Sequence, residues 1–374
     1  MSDGTVGRRA GGGRSARRNG DAGTGSATLD RPATGSKSAT KRVNLALQGG
    51  GAHGAFTWGV LDRLLEDGRM DVEGISGTSA GAINGAMLAY GLLLGGPEEA
   101  RGQLYRLWRR LGKSHASGPL TWGWFGNGAA HMDSHPVYAG FDLMIRMMSP
   151  YQFNPLNLNP VRDVLRGLID FDLLRQATGV RLYVSATNVK RGQLKVFKGA
   201  ELSVDCLVAS ACLPFLVQAV EIDGEHYWDG GYMGNPTVYP LIHECETPDI
   251  LVVQVTPLTR PSVPTSPTAI VDRMNEISFN STYLRELRAL ELINRLIAEG
   301  RITAEEAGVR PIRLHRIEDE AAMRDLGVSS KLNADWGFIC HLRDLGRAAA
   351  DDWLTRTWDK VGVAGTFEAG RFFV

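Results

Sequence analysis

The sequence predicts an α/β fold with a mainly parallel central sheet flanked by helices. Two segments in the first quarter of the chain each run from a short apolar strand through a glycine turn into a helix, which is how an α/β unit begins. A third segment, Ile250–Val255, is an uninterrupted apolar run, typical of a parallel strand that is buried on both faces.

The first α/β unit consists of the strand Val43–Gln48, the turn Gly49–Gly54 and the helix Ala55–Leu65. The apolar residues of this helix recur at helical spacing, which indicates one buried face. The second unit consists of the strand Asp71–Ser76, a turn, and the alanine-rich helix Ala82–Leu94. Further strands are predicted at Arg181–Thr187, Leu194–Phe197 and Ile312–Ile317, and helical segments at Asp205–Ala211, Ile270–Ala298 and Leu332–Trp358.

The composition is that of an ordinary globular protein. Of 374 residues, 43% are hydrophobic and 22% charged, and the formal net charge is +0, which gives no case for a nucleic-acid partner. The four cysteines form no CxxC pair and no zinc-ligand pattern, so no metal or other cofactor is expected, and reduced thiols in the cytoplasm are the simplest interpretation.

No apolar run is long enough to cross a membrane, and no apolar core follows the N-terminal arginines as it would in a secretory signal. The predicted location is therefore the cytoplasm. Contact with a membrane surface and the oligomeric state are left open by the sequence.

Four regions are predicted along the chain. Residues 1–42 are poor in large apolar side chains and should form a disordered basic tail, either a solvated segment or a tether to anionic lipid. Residues 43–256 carry the α/β domain, within which residues 117–160 are rich in Met and aromatic side chains. That insertion is either packed core or a cap that receives an acyl chain. Residues 257–374 begin with a proline-rich linker and continue as a mainly helical extension.

The turn of the second unit, Gly77-Thr78-Ser79-Ala80-Gly81, has the pattern G-x-S-x-G. A serine alcohol needs exposure at a tight strand-to-helix turn and a neighbouring base before it can act as a nucleophile. Gly77 and Gly81 leave room for such a turn, and the following helix brings free amides to its start. Ser79 is therefore the candidate nucleophile.

The turn of the first unit, Gly49–Gly54, allows two interpretations. It fits G-x-G-x-x-G, but the acidic residue of a dinucleotide site is expected at the end of the next strand, whereas Asp71 and Glu73 lie at its start and middle. Alternatively, the amides of Gly49, Gly50 and Gly51 could stabilise the oxyanion of an acyl transfer. In parallel strands, both glycine turns would open onto the same crevice.

Asp229 precedes Gly230 and Gly231, which permit close approach of another backbone or of a ligand. A hairpin turn would explain the Asp-Gly pair equally well, as it does for Asp223-Gly224. A carboxylate near Ser79 could accept its proton directly.

No histidine is placed as a triad requires. Of those that follow Asp229, each of His243, His315 and His341 is better explained as a surface or packing residue. The first glycine turn contains His53, which could donate a hydrogen bond near the site or cap its helix, and the sequence does not decide between the two.

Together, GGGAHG at Gly49–Gly54, GTSAG at Gly77–Gly81 and DGG at Asp229–Gly231 resemble the patatin-like phospholipase family, as do the flanking segments Val184–Asn188 and Ala209–Phe215. The resemblance covers about residues 43–255.

The resemblance implies a three-layer patatin-like fold and a lipid acyl hydrolase with a Ser–Asp dyad and no metal. It implies Ser79 as nucleophile, Asp229 as general base and Gly49–Gly51 as the oxyanion hole, with His53 and Gly54 supporting the turn. Many members carry Arg or Lys where this chain has His53, which suggests a preference for neutral esters or weaker activity near neutral pH. An esterase or polyester depolymerase with the same dyad and a non-catalytic nucleotide-binding module remain as alternatives.

Overall fold

The computed structural model describes residues 40–114, 147–324 and 326–372, with Met1 and Met144 as single residues. The predicted tail, apart from its last residues, and most of the predicted insertion at 117–160 lie outside these ranges. Within the described part, eight strands form one sheet. They are β1 (Lys41–Leu47), β2 (Met70–Thr78), β3 (Arg181–Asn188), β4 (Gln193–Lys198), β5 (Val220–Ile222), β6 (Glu225–Asp229), β7 (Asp249–Val253) and β8 (Arg313–Ile317).

The strand order is β5-β6-β3-β2-β1-β7-β8, and β4 pairs with β3 outside this path. All neighbours from β3 to β8 in this order are parallel, whereas β4, β5 and β6 are attached in antiparallel pairs. The predicted α/β class with a mainly parallel sheet is confirmed.

Helices cover both faces of the sheet. Those of the described part are α1 (Gly54–Asp67), α2 (Ala80–Ser114), α3 (Pro150–Phe153), α4 (Pro160–Arg166), α5 (Phe171–Arg175), α6 (Val204–Ser210), α7 (Tyr239–Glu244), α8 (Pro267–Ala298), α9 (Ala304–Ala307), α10 (Glu320–Arg324) and α11 (Trp336–Thr357).

The sheet is the middle of three layers because its strands alternate between two hydrophobic cores. In β1, Leu45 and Leu47 belong to one core and Ala46 to the other, as the two-residue period of a strand requires. One core contains apolar residues of α1, α2 and α11, and the other contains Tyr283 and Leu287 of α8.

The predicted elements coincide with observed ones, apart from their ends. The largest difference is α2, predicted as Ala82–Leu94, which resumes after an interruption and continues to Ser114. Gly95 and Gly96 have non-helical backbone angles at the point where the prediction ended. The apolar periodicity therefore identified the first of two helices that follow each other closely.

The segment after residue 256 packs against the α/β layers, and β8 and α11 are two of its attachments. β8 extends the sheet beside β7, and α11 packs along α1. A β-carbon at Gly59 would lie 1.9 Å from Arg343 O, and one at Gly346 would lie 2.0 Å from Phe56 O, so the two backbones touch. The predicted division of the chain at residue 256 stays a prediction, but the described residues on both sides belong to one compact unit.

Candidate active site

Ser79 occupies a sharp turn between β2 and α2. Its φ is 54°, in the left-handed region that a side chain rarely adopts and that marks strain at a functional turn. The residue is half-buried, whereas its neighbours Thr78 and Ala80 are buried. α2 begins one residue later, so its free N-terminal amides point toward the serine.

The backbone of Ser79 is anchored by Ser210, at the end of α6. The N–H of Ser79 donates a 2.8 Å hydrogen bond to Ser210 Oγ, and Ser210 is fully buried. This contact anchors the strained turn to the end of α6.

The two glycine turns lie side by side, as expected for the carboxyl ends of neighbouring parallel strands. Leu47 of β1 is in register with Gly77 of β2. A β-carbon at Gly49 would lie 2.7 Å from Ser79 Cβ, and one at Gly81 would lie 2.2 Å from Leu47 O. Only glycine at these positions allows the first turn to contact the serine.

The amides of the first turn differ in their hydrogen bonding. The N–H of Gly49 donates a 2.6 Å hydrogen bond to Asn235 Oδ1. Among the described residues, the N–H groups of Gly50 and Gly51 donate no hydrogen bond. Gly51 has φ 59° and is exposed, which suits an amide that faces the crevice.

The sheet register brings Asp229 to the same place. Thr78 of β2 pairs with Ser185 of β3, and the next residue of β3, Ala186, pairs with Asp229 of β6. The carbonyl of Asp229 accepts a 2.8 Å hydrogen bond from Thr187 Oγ1. Ser79 therefore follows the β2 residue that pairs with Ser185, and Asp229 pairs with the next residue of β3. The two residues lie close together although they are distant in the sequence.

The Asp229 carboxyl group is buried, with 1% of the residue exposed. Burial raises the pKa of Asp229 to about 6, against the lowering effects of the Gly231 amide, a hydrogen bond with the Ser79 side chain and the charge of Lys331. Oδ1 accepts the Gly231 N–H at 2.7 Å. Oδ2 has no well-formed hydrogen bond to the described residues, so the Ser79 contact is loose without substrate.

The glycines after Asp229 allow close packing. A β-carbon at Gly230 would lie 2.2 Å from Ser185 O, and one at Gly231 would lie 2.2 Å from the ring of Phe279 in α8. A 3₁₀ turn, Gly230–Tyr232, follows Asp229, so this Asp-Gly pair is not a hairpin turn. The predicted hairpin is instead at Asp223 and Gly224, which join β5 to β6.

His53 is buried, with 3% exposed, and its Nε2 lies 2.7 Å from Ser330 Oγ. Burial, followed by the charges of Lys331 and Arg260, lowers the pKa of His53 to about 3, so the ring is neutral at physiological pH. The Ser330 hydroxyl donates to Gly327 O, so we assign the imidazole proton to Nε2. His53 is the N-cap residue of α1, but its side chain forms no capping hydrogen bond. Its side-chain hydrogen bond goes instead to Ser330, in the C-terminal segment.

Gly54 joins the two helix starts. A β-carbon there would lie 2.7 Å from Ala80 Cβ, and the Gly54 carbonyl accepts a 2.9 Å hydrogen bond from Asn84 Nδ2. The predicted site residues of both glycine turns and of the DGG segment are thus in one region.

The three histidines that follow Asp229 in the sequence have other surroundings. His243 and His341 are exposed. His315 is fully buried, with Nε2 3.0 Å from Asp249 Oδ1 and Nδ1 3.0 Å from Thr366 Oγ1.

The acidic residues of β2 do not suit a dinucleotide site. Asp71 pairs with Arg42, and Glu73 accepts backbone N–H groups of residues 246 and 247.

Sequence reasoning missed the contributions of the segment beyond residue 256. The buried Gln48 donates to Asn280 Oδ1 at 2.9 Å and accepts the N–H groups of Val255 and Thr256, each at 2.8 Å, directly below the first turn. Lys331 packs its backbone against Gly51. No local pattern around residues 280 or 331 distinguishes them from ordinary surface positions.

In the described ranges, no group of three or more His, Cys, Asp or Glu side chains is arranged to hold a metal ion. The helices of those ranges include none with the length and apolar character needed to cross a membrane.

Comparison with known proteins agrees with the motifs. No curated protein matches the chain. A crystal structure of VipD from Legionella pneumophila is similar at 14% identity and a TM-score of 0.36, covering 81% of this chain and 67% of that one. The family model described as patatin-like phospholipase matches residues 45–242, which is more than half of the sequence. The chain therefore belongs to the patatin-like phospholipase family, whose members are lipid acyl hydrolases.

Proposed function

We propose that this protein hydrolyses carboxylic esters of lipids through a Ser79–Asp229 dyad. Ser79 Oγ attacks the ester carbonyl carbon while its proton passes to Asp229. The tetrahedral intermediate then collapses, and the leaving alcohol takes the proton from Asp229. Water attacks the resulting acyl-enzyme and gives one proton to Asp229. The second tetrahedral intermediate then collapses, Ser79 Oγ leaves and takes that proton back from Asp229, and the fatty acid is released.

The single observation that carries this proposal is the pairing of a strained, half-buried serine with a buried carboxyl group whose pKa is raised to about 6. A base with this pKa is largely ionised at neutral pH and still binds a proton more readily than an exposed aspartate does. The interaction between the two side chains would give the proton a direct path once substrate tightens their contact.

The oxyanion of the tetrahedral intermediate would be stabilised by the Gly50 and Gly51 amides, which are free in the described structure. Each such donor is worth about 3 kcal/mol of barrier. The predicted contribution of Gly49 requires its hydrogen bond to Asn235 to break. Gly49 can leave room for Ser79 while its hydrogen bond to Asn235 stays intact.

The test is ester hydrolysis by Ser79→Ala and Asp229→Asn, with a fluorophosphonate probe as a second readout. Both variants should lose at least about 1,000-fold in kcat. The probe should label wild-type Ser79, and labelling should be slow in Asp229→Asn. Substantial activity in Asp229→Asn would contradict the dyad, and no labelling of the wild type would favour a non-catalytic protein.

Thermal unfolding shows whether the variants fold. In the folded state Asp229 has a raised pKa, so its ionisation destabilises the fold as pH rises from about 4 toward 6. Asp229→Asn should therefore be at least as stable as the wild type at neutral pH, by up to about 3 kcal/mol. Lost activity with an unchanged or higher Tm would identify a chemical defect.

The substrate class needs a panel of phospholipid, triglyceride and hydroxyacid polyester, since the dyad serves all three. Contact with a lipid surface is supported by Ile270, Met274 and Ile277, exposed on one face of α8 at 42%, 65% and 55%. Phe279, on the opposite side of the same helix, covers Gly231, so α8 lies between this exposed face and the site. Met274→Asp with Ile277→Asp should weaken sedimentation with phospholipid vesicles without changing hydrolysis of a soluble ester; unchanged sedimentation would contradict the contact.

A further inference from the structure

The C-terminal 3₁₀ segment Val328–Leu332 lies against the first glycine turn. A β-carbon at Gly51 would lie 2.3 Å from Lys331 O and 3.3 Å from Lys331 Cβ. Next to it, Ser330 is hydrogen-bonded to His53 at 2.7 Å. The backbone of Lys331 is therefore fixed beside the amides proposed for the oxyanion hole.

The charge of Lys331 reaches the centre of the site. It acts on both His53 and Asp229, lowering the pKa of each. Burial lowers the pKa of Lys331 itself, although the charges of Glu276 and Asp272 oppose this. A cation that loses hydration in this way needs compensation from hydrogen bonds or from a ligand.

The nearby acid Glu276 acts on Lys331 only through its charge and forms no hydrogen bond or short ion pair with it. Its carboxylate is already held by Arg260 at 2.5 Å and by Arg273 at 2.9 Å. Among the described residues, none forms a hydrogen bond or a short ion pair with the Lys331 ammonium. Its donors are therefore available to a ligand in the crevice, where His53 is neutral.

We propose that Lys331 is a substrate-positioning residue whose ammonium binds an anionic oxygen group of the substrate, a phosphate or a carboxylate, beside the Gly49–Gly51 turn. The inference rests on the proposed function, because it concerns the substrate of the same site. His53, in place of the Arg or Lys of many family members, suggested a preference for neutral esters. The proposal reverses that preference, because Lys331 supplies the missing cation from a different part of the chain.

The test compares matched anionic and neutral esters with the full-length chain. One pair is dihexanoyl phosphatidylglycerol and dihexanoylglycerol, and the other is para-hexanoyloxybenzoate and its methyl ester. In Lys331→Met, kcat/KM for the anionic member should fall about 10- to 100-fold, mainly through KM. The neutral member should change less than about threefold. Rates are taken on the alkaline plateau, where Asp229 is ionised in every variant.

Two variants complete the design. Lys331→Arg should restore most of the anionic rate because it keeps the charge, and Lys360→Met, at an exposed lysine of the same C-terminal segment, should behave as the wild type. A loss confined to the phosphate pair would assign a lipid headgroup, and a loss confined to the carboxylate pair would assign an acidic acyl or alcohol group.

An equal loss on charged and neutral members, or no loss on either, would overturn the proposal while leaving the dyad intact. If the wild type cleaves no ester and its serine is not labelled by fluorophosphonate, the proposed function fails and this inference with it. If Lys331→Met does not fold, the proposal is tested instead by inhibiting the wild-type enzyme with uncleavable substrate analogues. The ether analogue of dihexanoyl phosphatidylglycerol should inhibit neutral-ester cleavage at least about tenfold more strongly than that of dihexanoylglycerol, and equal inhibition would overturn the proposal.

Discussion

Ser210 Oγ accepts a 2.8 Å hydrogen bond from the backbone N–H of Ser79. Ser210→Ala removes the acceptor and should relax the strained turn, because the amide then has no partner on that side. We expect kcat to fall about tenfold with KM nearly unchanged, as measured with a soluble ester.

The control for this prediction is Ser203→Ala at the other end of the same helix. Ser203 is the N-cap of α6 and accepts the Cys206 N–H at 3.2 Å. Its loss should cost about 1 kcal/mol of stability without lowering kcat. Equal kcat values for the two variants would show that Ser210 acts only through the stability of its helix.

The raised pKa of Asp229 predicts the pH dependence of catalysis. A general base must be ionised, so kcat/KM should fall through an apparent pKa of about 6 as pH decreases. In Lys331→Met the acidic limb should move to higher pH, because the charge of Lys331 lowers the pKa of Asp229 in the wild type. A flat profile between about pH 5 and 8 would be incompatible with Asp229 as the base.

Gly49→Ala tests the contact between the two glycine turns. The added methyl group would lie 2.7 Å from both Ser79 Cβ and Thr78 O, so the turns must separate. We expect a loss of about 1–3 kcal/mol in stability and about 100-fold in kcat/KM. Gly179→Ala is the matched control, because a β-carbon there meets nothing within 4 Å. Wild-type rates in Gly49→Ala would contradict the close approach.

The hydrogen bonds of Asp249, at the start of β7, should stabilise the fold at the end of the sheet away from Ser79. Although burial alone would raise its pKa, hydrogen bonds from His315, Arg313 and the Gly362 amide lower it below the usual range. Asp249→Asn should reduce the free energy of unfolding by about 3 kcal/mol at neutral pH, measured by urea denaturation. The contribution of an acid with a lowered pKa is present above about pH 4 and lost below it, so the difference should shrink in acid.

The comparison variant is Asp71→Asn, whose ion pair with Arg42 has both side chains more than half exposed, at 51% and 55%. It should cost less than about 1 kcal/mol. A similar cost for both aspartates would mean that the buried hydrogen bonds of Asp249 add nothing to stability.

The sequence predicts the elements around Ser79 well because local signals coincide there. Apolar runs, glycine turns and helical spacing are short-range patterns, and they indicated β1, β2 and the first part of α2. The expected proximity of the two turns followed from the geometry of parallel strands, and the contact between Gly49 and Ser79 agrees with it.

Long-range packing was beyond the reach of such patterns. Lys331 and Ser330 approach the first glycine turn only because β8 and α11 return the chain to the α/β layers. Nothing in the local sequence encodes that return. The same limit explains why His53 could not be assigned, since its partner lies 277 positions away along the chain.

The contact of Gly59 and Gly346 with the opposite backbones has a consequence for shortened chains. α1 begins directly after the first glycine turn. At Gly59 and Gly346, the backbones of α1 and α11 touch with no side chain between them. Removing everything beyond residue 242, where the family match ends, would also remove β7 and β8. The surface of α1 that α11 covers would be exposed, and β1 would become an open sheet edge. We expect such a fragment to aggregate, so this family member cannot be trimmed to its motifs.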